Sequence, residues 1–182
     1  MLLRGQRGSE PEMAAPRPAG STFVLLDDSV VPLPLTAEDR DRPITLKYGP
    51  ASRLPTDVSW TQATFGFAAR AARPFAPVRL RARRLANGDI RFSWVRRTRS
   101  GGDPWSVVEV PLAEDAESYR LEVMDGATIK RAFDTTVPEA LWTAVQQAAD
   151  FPSGLPSPLS VRVAQKSARY GVGAYKMENL HV

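Results

Sequence analysis

The stretch Val78-Arg-Leu-Arg-Ala-Arg-Arg-Leu-Ala-Asn-Gly-Asp-Ile-Arg-Phe-Ser-Trp-Val95 decides the fold. Its two runs, 78–82 and 89–95, alternate apolar and polar side chains with the period of two that a half-buried strand requires. Between them Leu85-Ala-Asn-Gly-Asp89 carries the Asn-Gly pair that favours a tight hairpin turn. Ile90, Phe92 and Trp94 then share one face, which belongs in a core, while Arg91 and Ser93 take the other.

The same rhythm extends in both directions. Ser118-Tyr-Arg-Leu-Glu-Val-Met124 places Tyr119, Leu121 and Val123 inward, Asp125-Gly126 turns the chain into 128–133, and Leu159, Val161 and Val163 form a further inward face. Upstream, 44–49 and 61–67 alternate, with 51–60 as the loop between them. Residues 22–27 and 30–35 read as a hairpin with a proline-bearing edge strand, and 11–20, with three prolines, as an extended connector. Residues 138–151 are the one helix candidate, with proline and glutamate in the first turn, against the competing reading of a strand followed by a turn. Five to seven short strands with turn chemistry between them predict a β-sandwich. Pro74-Phe-Ala-Pro77 prevents continuous pairing, so the expected division is a small β-rich module over 1–75 and a sandwich over 76–182.

Composition agrees with this class and removes most chemistries. The chain has 182 residues, 43% of them hydrophobic, enough for a packed core. Its 16 prolines are about 9% of the chain, nearly twice the ordinary share, which argues against long helices. There is no cysteine, so disulfides, thiol catalysis and thiolate metal sites are excluded. The one histidine, His181, is penultimate, a poor place for a catalytic base or a metal ligand. Net charge is +4, too slight to imply nucleic acid by itself. The start lacks the apolar stretch of a signal peptide, and no segment has the roughly 20 apolar residues of a membrane span.

Four constellations could carry function. Arginines at 79, 81, 83, 84, 91, 96, 97 and 99 form the densest charge feature. With Phe92 and Trp94 turned to the opposite face, cross-strand pairing with Asp103, Glu109, Glu114, Asp115, Glu117 and Glu122 is the favoured reading and nucleic acid the disfavoured one. Glu114, Asp115 and Glu117 read as solvated acids of one polar loop, which cannot supply the two-sided carboxylates of glycoside cleavage or a calcium loop. Gly171-Val-Gly173 has two glycines of a dinucleotide fingerprint but not its context, and reads as part of the last hairpin. Trp60, Trp105 and Tyr170 lie in loops as surface-contact aromatics, weighed against folding back over the core. No catalytic residue, cofactor or metal ligand set is expected.

The second half resembles a fibronectin type III domain. Pro77 opens the first strand, Trp94 lies in the second, Tyr119-Arg-Leu-Glu-Val in the third, and Val161-Arg-Val-Ala near Gly171-Val-Gly173 at the end. Leu159 stands where a tyrosine is usual, and the helix candidate at 138–151 is an insertion. Across the whole chain, Leu3-Arg-Gly-Gln-Arg-Gly-Ser-Glu10, Phe23-Val-Leu-Leu-Asp27, Pro74-Phe-Ala-Pro77 and Trp94-Val-Arg-Arg-Thr-Arg99 are similar in order and spacing to the C-terminal region of tail-tip hub proteins. Such proteins occur in long-tailed phages and in gene transfer agents, the phage-like particles of α-proteobacteria. This resemblance implies a non-enzymatic tail-tip or baseplate component. Its partners would be other tail proteins, a homotrimer in the particle, and host surface polysaccharide. Met1 falls where the family chain is internal, which implies a split gene product or a fragment without the upstream hydrolase barrel. A carbohydrate-binding module serving a neighbouring hydrolase, with the three loop aromatics as platforms, is the alternative.

Overall fold

The computed structural model describes residues 13, 16–22, 25, 27–28, 30–99, 101 and 110–182. The chain divides into two compact units, Met1–Ala71 and Ala72–Val182.

The first unit is built round one antiparallel ribbon, β1 (Pro43–Tyr48) with β2 (Thr61–Gly66). Ile44 pairs with Phe65 and Leu46 with Ala63, while the Thr45 and Thr64 hydroxyls bond across the ribbon at 2.8 Å. The hairpin expected over 22–35 is corrected here. Its described residues are turn and irregular chain, closed by hydrogen bonds from Val30 N to Asp27 O and from Leu35 N to Leu33 O. Pro32 and Pro34 remove two of the donors a strand would need. Phe23, Val24, Leu26 and Ser29 of that hairpin lie outside the described residues.

The second unit is a two-sheet sandwich. One sheet has the order β3 (Val78–Arg84), β4 (Ile90–Val95), β7 (Glu139–Trp142). The other runs β10 (Lys176–Leu180), β8 (Leu159–Ser167), β5 (Tyr119–Asp125), β6 (Thr128–Thr135), with the short β9 (Gly171–Val172) on β8. All pairings are antiparallel. Taken along the chain, the first, second and fifth strands form one sheet and the third, fourth, sixth and last the other. This is a fibronectin type III-like sandwich.

Alternation supplies the core. Leu80, Ile90, Phe92, Trp94, Ala140 and Trp142 point inward from the three-stranded sheet, and Tyr119, Leu121, Val123, Leu159, Val161 and Val163 from the four-stranded one. Burying each large apolar side chain contributes about 1.5–3 kcal/mol. Trp94 meets Tyr119 edge-on across the sheets, with ring centroids 5.3 Å apart. Trp142 stacks near Phe92 and takes Phe151 edge-on at 5.9 Å. The Tyr119 hydroxyl donates to Glu117 at 2.6 Å, and burial followed by that carboxylate pushes its pKa up.

The helix reading over 138–151 splits. Residues 139–142 form β7, because Ala140 and Trp142 are buried while Glu139 and Leu141 are exposed, and that period of two fits an edge on β4 better than a helix face. Only α1 (Ala144–Asp150) is helical. Thr143 caps it: its hydroxyl accepts from Gln146 N, and the Gln146 side chain accepts from Thr143 N. The helix start also latches the β3–β4 turn. Ala144 N donates to Asp89 Oδ1 at 2.8 Å, and Gln147 Nε2 to Gly88 O at 3.1 Å. Gly88 has φ +85°, the left-handed conformation that the Asn-Gly turn requires.

Gly173 shows why the last hairpin needs glycine. A methyl group there would clash with the Pro74 carbonyl oxygen and lie 3.0 Å from that of Gln165. Both oxygens are engaged, by Ala174 N at 3.2 Å and Gly173 N at 2.9 Å. Gly173→Ala should therefore lower stability by about 2 kcal/mol, seen as a lower denaturant midpoint; an unchanged midpoint would refute the close approach.

Asp150 ties three elements together. It accepts from Arg131 on β6, with Nη2–Oδ1 at 2.9 Å, and from Trp142 Nε1 at 2.9 Å. The Arg131 guanidinium, helped by the indole N–H, holds Asp150 below the ordinary carboxylate range against the opposing effect of burial. Its stabilisation is complete above the unfolded value of about 3.9 and is lost as pH falls through the lower folded value. Asp150→Asn should cost about 1–2 kcal/mol at neutral pH and less in acid. Denaturant unfolding at about pH 7 and pH 2 checks this, and an equal cost at both would contradict the linkage.

Candidate functional site

The sandwich presents two outward sheet faces of different charge chemistry. On the four-stranded sheet, register sets Glu122 of β5 opposite Arg162 of β8. Arg162 Nε donates to Glu122 Oε2 at 2.6 Å and Arg120 Nε to Oε1 at 2.7 Å. The Tyr175 hydroxyl lies 3.3 Å from Oε1, and the Arg162 guanidinium covers the Tyr175 ring at 4.5 Å. Burial alone would raise the Glu122 pKa, but the two guanidiniums more than offset it and hold the carboxyl below its ordinary value. Asp134 on β6 continues the network, with Lys166 at 2.8 Å and Arg120 at 3.6 Å. Positive and negative groups alternate across this face and neutralise one another.

The three-stranded sheet is different. Arg79, Arg81 and Arg83 on β3 and Arg91 on β4 are exposed. Among the described residues none of them has an acid partner. For these four, and among the described residues, this corrects the expectation that the downstream acids pair with the cluster. Arg99 of the same cluster does meet one of those acids, Glu114, at 2.9 Å. Asp115 pairs with Arg169, Glu117 accepts from Tyr119, and Glu122 belongs to the other sheet. The cause is topological: β5 lies across the core from β3 and β4, so its outward acids face away from their outward arginines. Asp103 and Glu109 lie outside the described residues.

Glu114 is a second correction. It was expected to be solvated, yet its side chain is only 4% exposed, held by Arg99, whose Nη2 also donates to Ala113 O at 3.2 Å. The three acids 114, 115 and 117 thus have three separate partners and form no shared carboxylate site.

Two of the three candidate aromatics lie among the described residues, one in each unit. Trp60, in the first unit, is folded back: its ring lies on Gly49, where a methyl group would come within 2.6 Å of it, and Nε1 donates to Arg53 O at 3.2 Å. Tyr170, in the second unit, is half-buried with the Arg99 guanidinium 5.1 Å from its ring centre. Trp105 lies outside the described residues.

A groove of about 510 Å³ opens beside α1, lined by Arg84, Gln147, Phe151, Leu155 and Val182 among others. Arg84 is its only charged side chain. Among the described residues no three His, Asp or Glu side chains gather as a metal site, and no helix is long and apolar enough to cross a membrane.

Sequence reading missed the Glu122 cluster. The signal was present in Arg120 and Glu122 at i and i+2 on the outward side of β5, but the third member, Arg162, needed the β5–β8 register.

No protein-family model matches the chain, and no curated protein matches it. Its structure is similar to domains d3–d4 of the rat CD45 extracellular region, at 13% identity over 90% of this chain and 76% of that one, with a TM-score of 0.39. It is also similar to the FN5 domain of Drosophila Lar, at 16% identity over 60% of this chain and 98% of that one, TM-score 0.28. Domains A168–A170 of titin match at 10% identity over 67% of this chain and 37% of that one, TM-score 0.35. Strand order and the facing aromatic layer, rather than these superpositions, carry the fold assignment.

Proposed function

We propose that the chain is a structural tail-tip or baseplate hub component of a phage or gene transfer agent, contributing to particle assembly and host-surface contact without catalysis. The observation that carries this reading is the ordered series 3–10, 23–27, 74–77 and 94–99, whose residues and spacing resemble the C-terminal region of tail-tip hubs. Two of these motifs meet in the fold. The Arg97 guanidinium lies 4.9 Å from the Phe75 ring centre, and Pro77 is fully buried. Arg96, from the same motif, donates to the carbonyls of Val110 at 2.6 Å and Pro111 at 3.0 Å. The arginines of 94–99 thus fasten the end of β4 to the chain that follows, a positioning task suited to a structural module.

In this reading the protein is made in the bacterial cytoplasm, joins other tail proteins as a homotrimer, and ends at the distal tail with its sandwich towards the host envelope. Immunogold labelling of purified particles with antibodies to the chain tests it. Gold at the distal tail end is expected; unlabelled particles from cells that contain the chain would overturn the proposal.

A further inference from the structure

Arg81, Arg83 and Arg91 share the exposed outer side of the three-stranded sheet, and Arg79 is exposed at the bulge beside them. Register sets Arg83 directly opposite Arg91 and Arg81 opposite Ser93. Opposed residues of such a pair hold their Cβ atoms about 5 Å apart, and same-face neighbours along a strand lie about 7 Å apart. Like charges at that distance repel, yet the described residues place no acid against any of the four. Among the described residues Glu139 on β7 is the one acid of this face, opposite Ser93, and Leu141 stands opposite Arg91. Arg79 sits at a break in the β3–β4 register with φ 56°, in the left-handed region that a non-glycine residue adopts at a cost. The four-stranded sheet shows that the same sandwich can neutralise its outward cations, because Arg120, Arg162 and Lys166 all meet carboxylates there.

We propose that this arginine face is a binding surface for an acidic polysaccharide, gripped through its carboxylates. Guanidinium forks suit carboxylates, and exposed arginines spaced along β3 with Arg91 of β4 beside them can follow an extended chain. Nucleic acid fits less well. Single strands are held by aromatic platforms, and here Phe92 and Trp94 of β4 are both buried in the core. Duplex readout requires an element that enters a groove, whereas the β3–β4 ribbon is flanked by β7 and its turn is latched to α1. The inference rests on the host-contact part of the reading above and names the chemistry of that contact.

The test titrates the purified full chain with labelled polygalacturonate at several salt concentrations, with neutral dextran, single-stranded DNA and duplex DNA in parallel. Polygalacturonate should bind and dextran should not. The triple variant Arg81→Ser, Arg83→Ser, Arg91→Ser, confirmed folded by circular dichroism, should bind about tenfold more weakly and show a shallower salt dependence. Should the triple fail to fold, Arg91→Ser alone should weaken binding about two- to threefold. The control Lys47→Ser, Arg53→Ser, Arg169→Ser removes the same charge elsewhere and should have a much smaller effect. Equal losses in the two triples would overturn the assignment to this face. Tighter binding of either DNA, or no binding of polygalacturonate, would overturn the polysaccharide. Polysaccharide binding by a chain absent from particles would leave this face intact and remove the tail reading; a labelled tail with no polysaccharide binding would do the reverse.

Discussion

Trp94 and Tyr119 join the two sheets of the sandwich through an edge-on contact of their rings. Trp94 belongs to β4 and Tyr119 opens β5, so the contact spans the crossing from one sheet to the other. Around it the inward residues of both sheets close a single layer, extended by Phe92, Trp142 and Phe151. Once that layer is buried, alternation leaves no freedom in which residues face out. The Trp94 indole N–H has no hydrogen-bond partner among the described residues. An unmet donor costs about 1–3 kcal/mol, so packing rather than polar pairing must hold this tryptophan in place.

The surface chemistry follows from that constraint. Strands β3 and β4 send arginines outward on one side, and β5 and β8 send Arg120, Glu122 and Arg162 outward on the other. Charges that look balanced along the sequence are therefore separated by the thickness of the core. One face becomes a closed network, centred on a glutamate with two guanidiniums and a tyrosine hydroxyl. On the other, the described residues set one acid, Glu139, beside four exposed arginines, a net positive field that falls off over about 8–10 Å at physiological salt.

Much of the sandwich was legible in the sequence because its signals are local. The Asn-Gly turn and the alternation of Ile90, Phe92 and Trp94 fix a hairpin without reference to any other segment, and Tyr119, Leu121 and Val123 are buried as their spacing required. Residues 139–142 were harder. Their composition suits a helix as well as a strand, and pairing with β4 decides between the two. The hairpin expected over 22–35 is absent from its described part because Pro32 and Pro34 remove donors that even an edge strand needs. The charge pattern is less legible for a further reason. Cross-strand pairing depends on which strands share a sheet, and Glu114 is buried by Arg99 from a distant part of the chain. The aromatic candidates show the same limit: whether a loop tryptophan stands free depends on partners such as Gly49, which seats Trp60.

The central claim is that this chain meets a host surface through charge on one sheet face. The most direct measurement is binding of the labelled chain to α-proteobacterial cells with and without their acidic surface polysaccharide. Saturable binding that disappears with the polysaccharide, and weakens as salt is raised, is the predicted result. Equal binding to both cell types, or none to either by a folded chain, would contradict it.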